Sequence, residues 1–344
     1  MKNELLLLSA LTLALVGLIS ILFLYLVTRK LAENHKRKKI EHWKSRFQAP
    51  VLSYLFDGTL LREMTVNTDE KRIAIEELLS GLADVLEDEK GNARLNAYAD
   101  KHLKTYYRKQ LSSRKWSRRM NAMYHIEKIR LTSLSGDLER LFLRKRSSKE
   151  ERVQCLRVLA LFQHKKVLDY LIEIAYLLSE TEIRQIIQRY DQPLFDQAIL
   201  SFHNADVKMQ NVLLDVIALQ KQFKYKTFVE SVYELYSGEL RIRALKAISE
   251  LGYIEDINKY IGLAESGKWE ERMLAAKLIG IFKDSDYTPC LIKLLRDNNW
   301  WVRSKAAEAL MNLRGGRRVL EEVYKNDHDR FAREMAWEWL NKGV

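Results

Sequence analysis

The chain has 344 residues, a net charge of +12, 47% apolar and 30% charged residues, and only 13 glycines and 3 prolines. That balance favours helix throughout, and two cysteines 135 positions apart exclude a disulfide framework. The charge is uneven: residues 28–152 hold 29 Lys/Arg against 18 Asp/Glu, whereas residues 153–344 hold 28 against 27. Such asymmetry calls for a membrane surface or nucleic acid beside the N-terminal part.

Leu5 to Val27 is a 23-residue run without a charge. As a helix it spans about 35 Å, enough for a hydrocarbon core of about 30 Å. It is too long for the apolar region of a signal peptide and has no net positive segment before it, so residues 1–28 read as a retained transmembrane anchor. Ala10, Ala14 and Gly17 give it a small-residue stripe of the kind that admits a partner helix. Eight Lys/Arg against two Glu follow in residues 29–46. The positive-inside rule therefore puts the N-terminus outside and the rest of the chain in the cytoplasm, at a cell membrane crossed once.

Residues 29–50 read as a basic linker, either a continuing helix or an arm on the headgroups, with Lys36, Arg37, Lys38 and Lys39 at its centre. Residues 51–115 read as a helical N-terminal cap or divergent repeat. One helix runs through Ile73, Ile75, Leu78, Leu79, Leu82 and Leu86, and a polar break at 87–91 supplies Gly91 as a C-terminal glycine. A second runs through Leu95, Tyr98, Ala99, Leu103 and Tyr106. From Lys101 to Arg119 there are eight Lys/Arg and no acid, interleaved with Tyr106, Tyr107 and Trp116. Lys104, Arg108, Lys109, Arg114, Lys115 and Arg118 join the 36–39 cluster as a candidate basic patch for an anionic lipid surface. The same composition over 101–152 would suit nucleic acid, the alternative that an upstream anchor disfavours.

From residue 116 to the end a frame repeats. Arg303 is followed at +3, +4, +6, +7 and +10 by Ala306, Ala307, Ala309, Leu310 and Leu313, the apolar face of a short helix. Equivalent anchors are 119, 152, 180, 210, 241, 272 and 333, at spacings of 28 to 33. A second apolar helix lies between successive anchors. Each unit is a hairpin that cannot bury its own faces, so the hairpins must stack. The last helix, 329–341, has no following partner, and its Trp337 and Trp339 are placed to cover the final unit.

The pattern Asp297-x-x-Trp300-x-Val302-Arg303-x-x-Ala306-Ala307-x-Ala309-Leu310 resembles the HEAT repeat, in its short PBS-lyase-type form. It is specific over about 239–340, weaker over 116–238 and absent before 100. The resemblance implies an all-α, right-handed α-solenoid of hairpins of about 30 residues, with a curved surface formed mainly by the second helices. It also implies an intramolecular ladder between a turn acid and the repeat arginine, carried here onto Asp297 and Arg303, with Arg241, Arg272 and Arg333 as the equivalent arginines. Trp116, Trp269 and Trp300, each three residues before an anchor, are expected at inter-repeat turns.

No HExxH, CxxC, Walker A or GxGxxG is present and none of the seven histidines precedes a Glu, so no catalytic, metal or cofactor residue can be nominated. Cys155 and Cys290 occupy apolar frame positions and are expected as buried thiols. The composite expectation is a membrane-anchored scaffold for protein partners, with an accessory role beside glycosyltransferase or envelope-polymer machinery by association. A lyase-like enzyme of the resembled type is a further alternative.

Overall fold

A computed structural model describes residues 2–59, 65–83, 85 and 89–342. The side chains before Ala10, and Leu86 with the rest of 86–88, lie outside the described part. Among the described residues there are eighteen α-helices and no strand. Three open the chain: α1 (Lys2–Asp57), α2 (Asp69–Ala83) and α3 (Glu89–Leu111). Two kinds of helix then alternate as an all-α solenoid. The A helices are α4 (Trp116–Lys128), α6 (Lys149–Leu161), α8 (Glu180–Ile187), α10 (Val207–Gln220), α12 (Gly238–Leu251), α14 (Trp269–Phe282), α16 (Trp300–Asn312) and α18 (Arg330–Asn341). The B helices between them are α5 (Ser135–Leu143), α7 (Val167–Ile174), α9 (Gln192–Leu200), α11 (Lys226–Leu235), α13 (Asn258–Ile261), α15 (Thr288–Leu295) and α17 (Gly316–Asn326). The helices form two compact units, residues 1–164 and 165–344.

In the first unit α1 is a single helix of 56 residues, about 84 Å long. It has two halves of different character. Leu11 to Val27 are exposed, with Leu13 at 74%, whereas Ile40, Phe47, Val51 and Leu55 are buried against α2 and α3. Pro50 lies inside the helix without ending it. A proline there removes one backbone hydrogen bond, and burial of Phe47, Val51 and Leu55 on either side holds the last two turns in place. The basic segment and the cap thus share one helix, continuous through position 50. Gly91 falls within the first turn of α3 and caps nothing; α2 has already ended at Ala83.

In the second unit the A helices pack side by side, α8 on α10 and onward to α16 on α18. The frame explains why. Ala306, Ala307, Ala309 and Leu310 are all at most 2% exposed, as are Ala275, Ala276, Leu278 and Ile279 one repeat earlier. Small residues let these helices approach closely. At Gly280 a Cβ atom would lie 2.8 Å from both Cα and Cβ of Ala309, so only glycine fits that contact. Each large aliphatic side chain buried here contributes about 1.5–3 kcal/mol.

Helix starts follow the sequence. Ser148 and Ser179 form capping boxes with Glu151 and Glu182, and Asp191, Asn299 and Asp329 cap α9, α16 and α18. Seven of the eight anchors are the fourth residue of their A helix. The exception is Glu180, the first residue of α8, a helix of only 8 residues in which Ile183 holds the fourth place. The frame there is displaced by three positions, so that Arg184 stands at the +4 place counted from Glu180, where the other repeats have an apolar residue.

Candidate functional site

Four of the six anchor arginines have a common task. Arg303 donates from Nη1 to the carbonyls of Asp297 (2.8 Å) and Asn298 (3.1 Å), in the turn before its own helix. Arg272 does the same to Ser266 (2.8 Å), Arg333 to Asp327 (2.8 Å), and Arg119 to Ser113 (2.7 Å) and Arg114 (3.0 Å). From the fourth position a guanidinium reaches back six residues and satisfies carbonyls that the previous helix leaves without partners. Arg241 departs from this pattern: it donates to Tyr233 Oη at 3.1 Å and lies over that ring at 4.8 Å.

The acids of these turns pair across repeats. Asp297 does not take Arg303, the partner carried over from the resemblance, because Arg303 is committed to carbonyls. Its carboxylate instead receives two hydrogen bonds from Arg272 of the preceding repeat, at 2.5 and 2.9 Å. Asp327 receives Arg296 in the same way at 2.8 Å. Burial alone would raise both carboxyls, but the arginines and the backbone N–H groups of Asn299 and Asp329 hold them below the ordinary carboxylate range. Earlier in the second unit, Arg243 bridges Asp215 (2.8 Å) and Glu180 (3.1 Å), and Arg184 meets Asp215 at 2.5 Å. One network therefore ties α8, α10 and α12.

The N-terminal cap uses its charges differently. α3 runs antiparallel to the end of α1: Arg94 donates to the carbonyls of Leu55 (2.8 Å) and Phe56 (2.5 Å), and Tyr54 and Tyr98 are 5.7 Å apart. At its other end Tyr107 donates to Glu76 on α2. The next residue, Glu77, accepts from Arg37 (2.5 Å) and Lys44 (3.2 Å) of α1. These contacts bring the C-terminal end of α3 to the height of the basic run at 36–39. The two basic clusters, far apart in sequence, therefore belong to one end of the cap.

Within that collar the residues divide. Lys36, Lys38, Lys39, Lys109, Arg114, Lys115 and Arg118 are exposed. Arg37 also pairs with Glu41, Lys104 with Asp100 at 3.1 Å, and Arg108 with Asp137 at 3.3 Å. The interleaved aromatics are not a stacking platform. Tyr107 is 1% exposed and Tyr106 is covered by the Arg72 guanidinium at 3.8 Å, leaving only Trp116 open. Base stacking needs accessible rings, so these tyrosines do not supply what the nucleic-acid alternative requires.

Residues 257–341 match the family model of HEAT repeats. That stretch is built of HEAT repeats. Comparison with curated proteins returns no match. Among solved structures, an engineered protein known from a crystal structure is similar at 15% identity, with 79% of each chain covered and a TM-score of 0.33. The matched repeats are those with the most regular arginine braces and acid ladder.

The repeat array corrects several side-chain expectations. Trp116 does sit at an inter-repeat turn, with Nε1 3.3 Å from Ser148 Oγ. Trp300 packs edge-on against Trp301 at 4.9 Å, yet both remain exposed. Trp337 is 53% exposed and does not cover the last repeat; Ala332, Met335 and Ala336 face inward instead. Cys155 is fully buried, 3.4 Å from the sulfur of Met123, and burial raises its thiol pKa. Cys290 is only half-buried, since it lies in the first turn of α15.

The sequence also concealed a buried ion pair. Glu76 is 4% exposed and accepts from Arg72 at 2.6 Å as well as from Tyr107. Burial, reinforced by Glu76, raises the Tyr107 hydroxyl pKa far above its ordinary value. The available signal was a four-residue Arg-to-Glu spacing whose Glu fell between Ile75 and Leu79 on the apolar side of α2.

Proposed function

We propose that this HEAT-repeat protein is a single-pass membrane protein that holds its repeat array at the cytoplasmic face as a scaffold for protein partners. The observation that carries this reading is α1, apolar and exposed from Leu11 to Val27, then part of the cap core from Ile40 to Leu55 without a helix break. An exposed apolar stretch of this length is compatible with a bilayer span. The eleven residues 29–39 between the two halves extend about 16 Å, so the cap is held close to the headgroups. The basic flank after the span favours a cytoplasmic array. Stacked repeats offer a long surface for partners, and exposed Trp300, Trp301 and Phe331 near the starts of α16 and α18 supply apolar contact points on it.

The test is capture from native membranes with the full chain as bait and residues 1–57 as the control. The reading expects the protein to resist alkaline extraction and to retain partners that the control does not. Extraction at high pH would remove the anchor from the reading. Recovery of the same proteins by both baits would remove the scaffold.

A further inference from the structure

The buried carboxylate of Glu76 lines an open cleft of about 510 Å³ between α2, α3 and α4. On its floor Arg72 pairs with Glu76, Tyr107 donates to Glu76, and Asp69 lies 3.5 Å from Arg72 Nε, a buried nitrogen that makes no hydrogen bond. Two carboxylates against one guanidinium leave the floor with a net negative charge, Asp69 lying at its exposed edge, so a place for an anion exists only at the rim. The rim is different. Arg118, Asn121 and His125 follow one another at helical spacing along one face of α4, and Gln110 faces them from α3. Among the described residues no carboxylate pairs with Arg118, nor with Lys109, Arg114 or Lys115 in and beside the adjoining α3–α4 turn.

We propose that this cleft binds a phosphate-bearing headgroup. A guanidinium recognises phosphate through paired N–H donors, and Asn121 and His125 stand one and two helical turns from Arg118 on the same face. Gln110 and Asn121 supply amides for hydroxyls attached to the phosphate. The surrounding lysines and arginines raise the local concentration of anions. The cleft also adjoins the point where Glu77 clamps Arg37 of the basic run, which favours a lipid as the source of the phosphate. That preference rests on the membrane anchor proposed above. A soluble phosphate compound would offer the same chemistry.

The full chain is reconstituted in nanodiscs of phosphatidylglycerol mixed with phosphatidylcholine and released into detergent for native mass spectrometry. The expected result is retention of phosphatidylglycerol over phosphatidylcholine, weakened about tenfold or more by Arg118→Gln and unchanged by Lys145→Gln, an exposed cation outside the cleft. A second arm adds inorganic phosphate to lipid-free protein in detergent and follows the His125 ring by NMR. A shift there that Arg118→Gln abolishes, without lipid retention, assigns the site to soluble phosphates. Equal retention of both lipids with no phosphate-dependent shift overturns the proposal, as does equal loss in both variants. Reconstitution reports separately on the anchor: a chain that stays outside the nanodisc defeats the membrane reading, and the phosphate arm still judges the cleft.

Discussion

The cap and the C-terminal repeats are both helical and rich in arginine, yet they use the residue for different ends. In the repeats the guanidiniums of Arg272, Arg303 and Arg333 are tied to turn carbonyls, and Arg272 also holds the acid of the neighbouring repeat, Asp297. In the cap, Arg37 fastens α1 to α2 and Arg72 covers Tyr106 of α3, while Lys109, Arg114 and Lys115, with Arg118 at the start of α4, face solvent. A cation paired within the fold is neutralised there and adds little to the external field. Unpaired cations remain available to outside anions. The charge excess of residues 28–152 therefore matters less than the portion of it that the fold leaves unpaired.

The sharpest way to separate the two regions is Phe47→Ala. Phe47 is fully buried, stacks on Trp43 at 5.4 Å, and sits where α1 joins the cap. Removing it should cost about 3–5 kcal/mol. In hydrogen exchange on the full chain, α2 and α3 should lose protection while α14 and α16 keep theirs. If the repeats lose protection equally, the two units do not fold as separate cooperative bodies and the contrast collapses.

The acid ladder of the repeats gives a smaller, pH-dependent effect. Asp297 and Asp327 have folded pKa values below their ordinary ones. Depressed carboxyls contribute stability that is present above the unfolded value of about 3.9 and is lost as pH falls through the folded value. Denaturant midpoints should therefore decline as pH drops below about 4. Arg272→Gln should cost about 1–2 kcal/mol at neutral pH, allowing for partial exposure, and should flatten that decline. An unchanged pH slope in Arg272→Gln would mean that Asp297 is held down by its backbone partner instead.

What could be read from sequence divides along the same line. The repeat frame was legible because stacking imposes one period on many units: Ala306, Ala275 and Ala244 are buried by the same geometry three times over. The direction of the ladder was not, because an arginine at the fourth helical position can reach either its own turn's carbonyls or a carboxylate. Spacing alone does not choose between them. In the cap nothing repeats. That α3 would return its basic end to the height of Lys36 depends on Arg94, Tyr107 and Glu77 meeting partners 30 to 40 positions away. No local pattern reports such a meeting.

The smallest expected effect tests whether position in the frame or position in the stack decides burial. Trp337 occupies the +4 place that Ala307 and Ala276 fill in earlier repeats, where both are fully buried. Those alanines meet the next A helix, whereas Trp337 is 53% exposed on the outer side of α18, beside Tyr324. Truncating a half-exposed ring removes little from the core, so Trp337→Ala should change stability by less than about 1 kcal/mol. Enlarging Ala307 to Leu should cost about 1–3 kcal/mol, because the added atoms have no space between α16 and α18. Thermal melts of the two variants decide the matter. Should Trp337→Ala prove as damaging as Ala307→Leu, the outer face of α18 is covered in solution, and its aromatic is part of a contact between molecules.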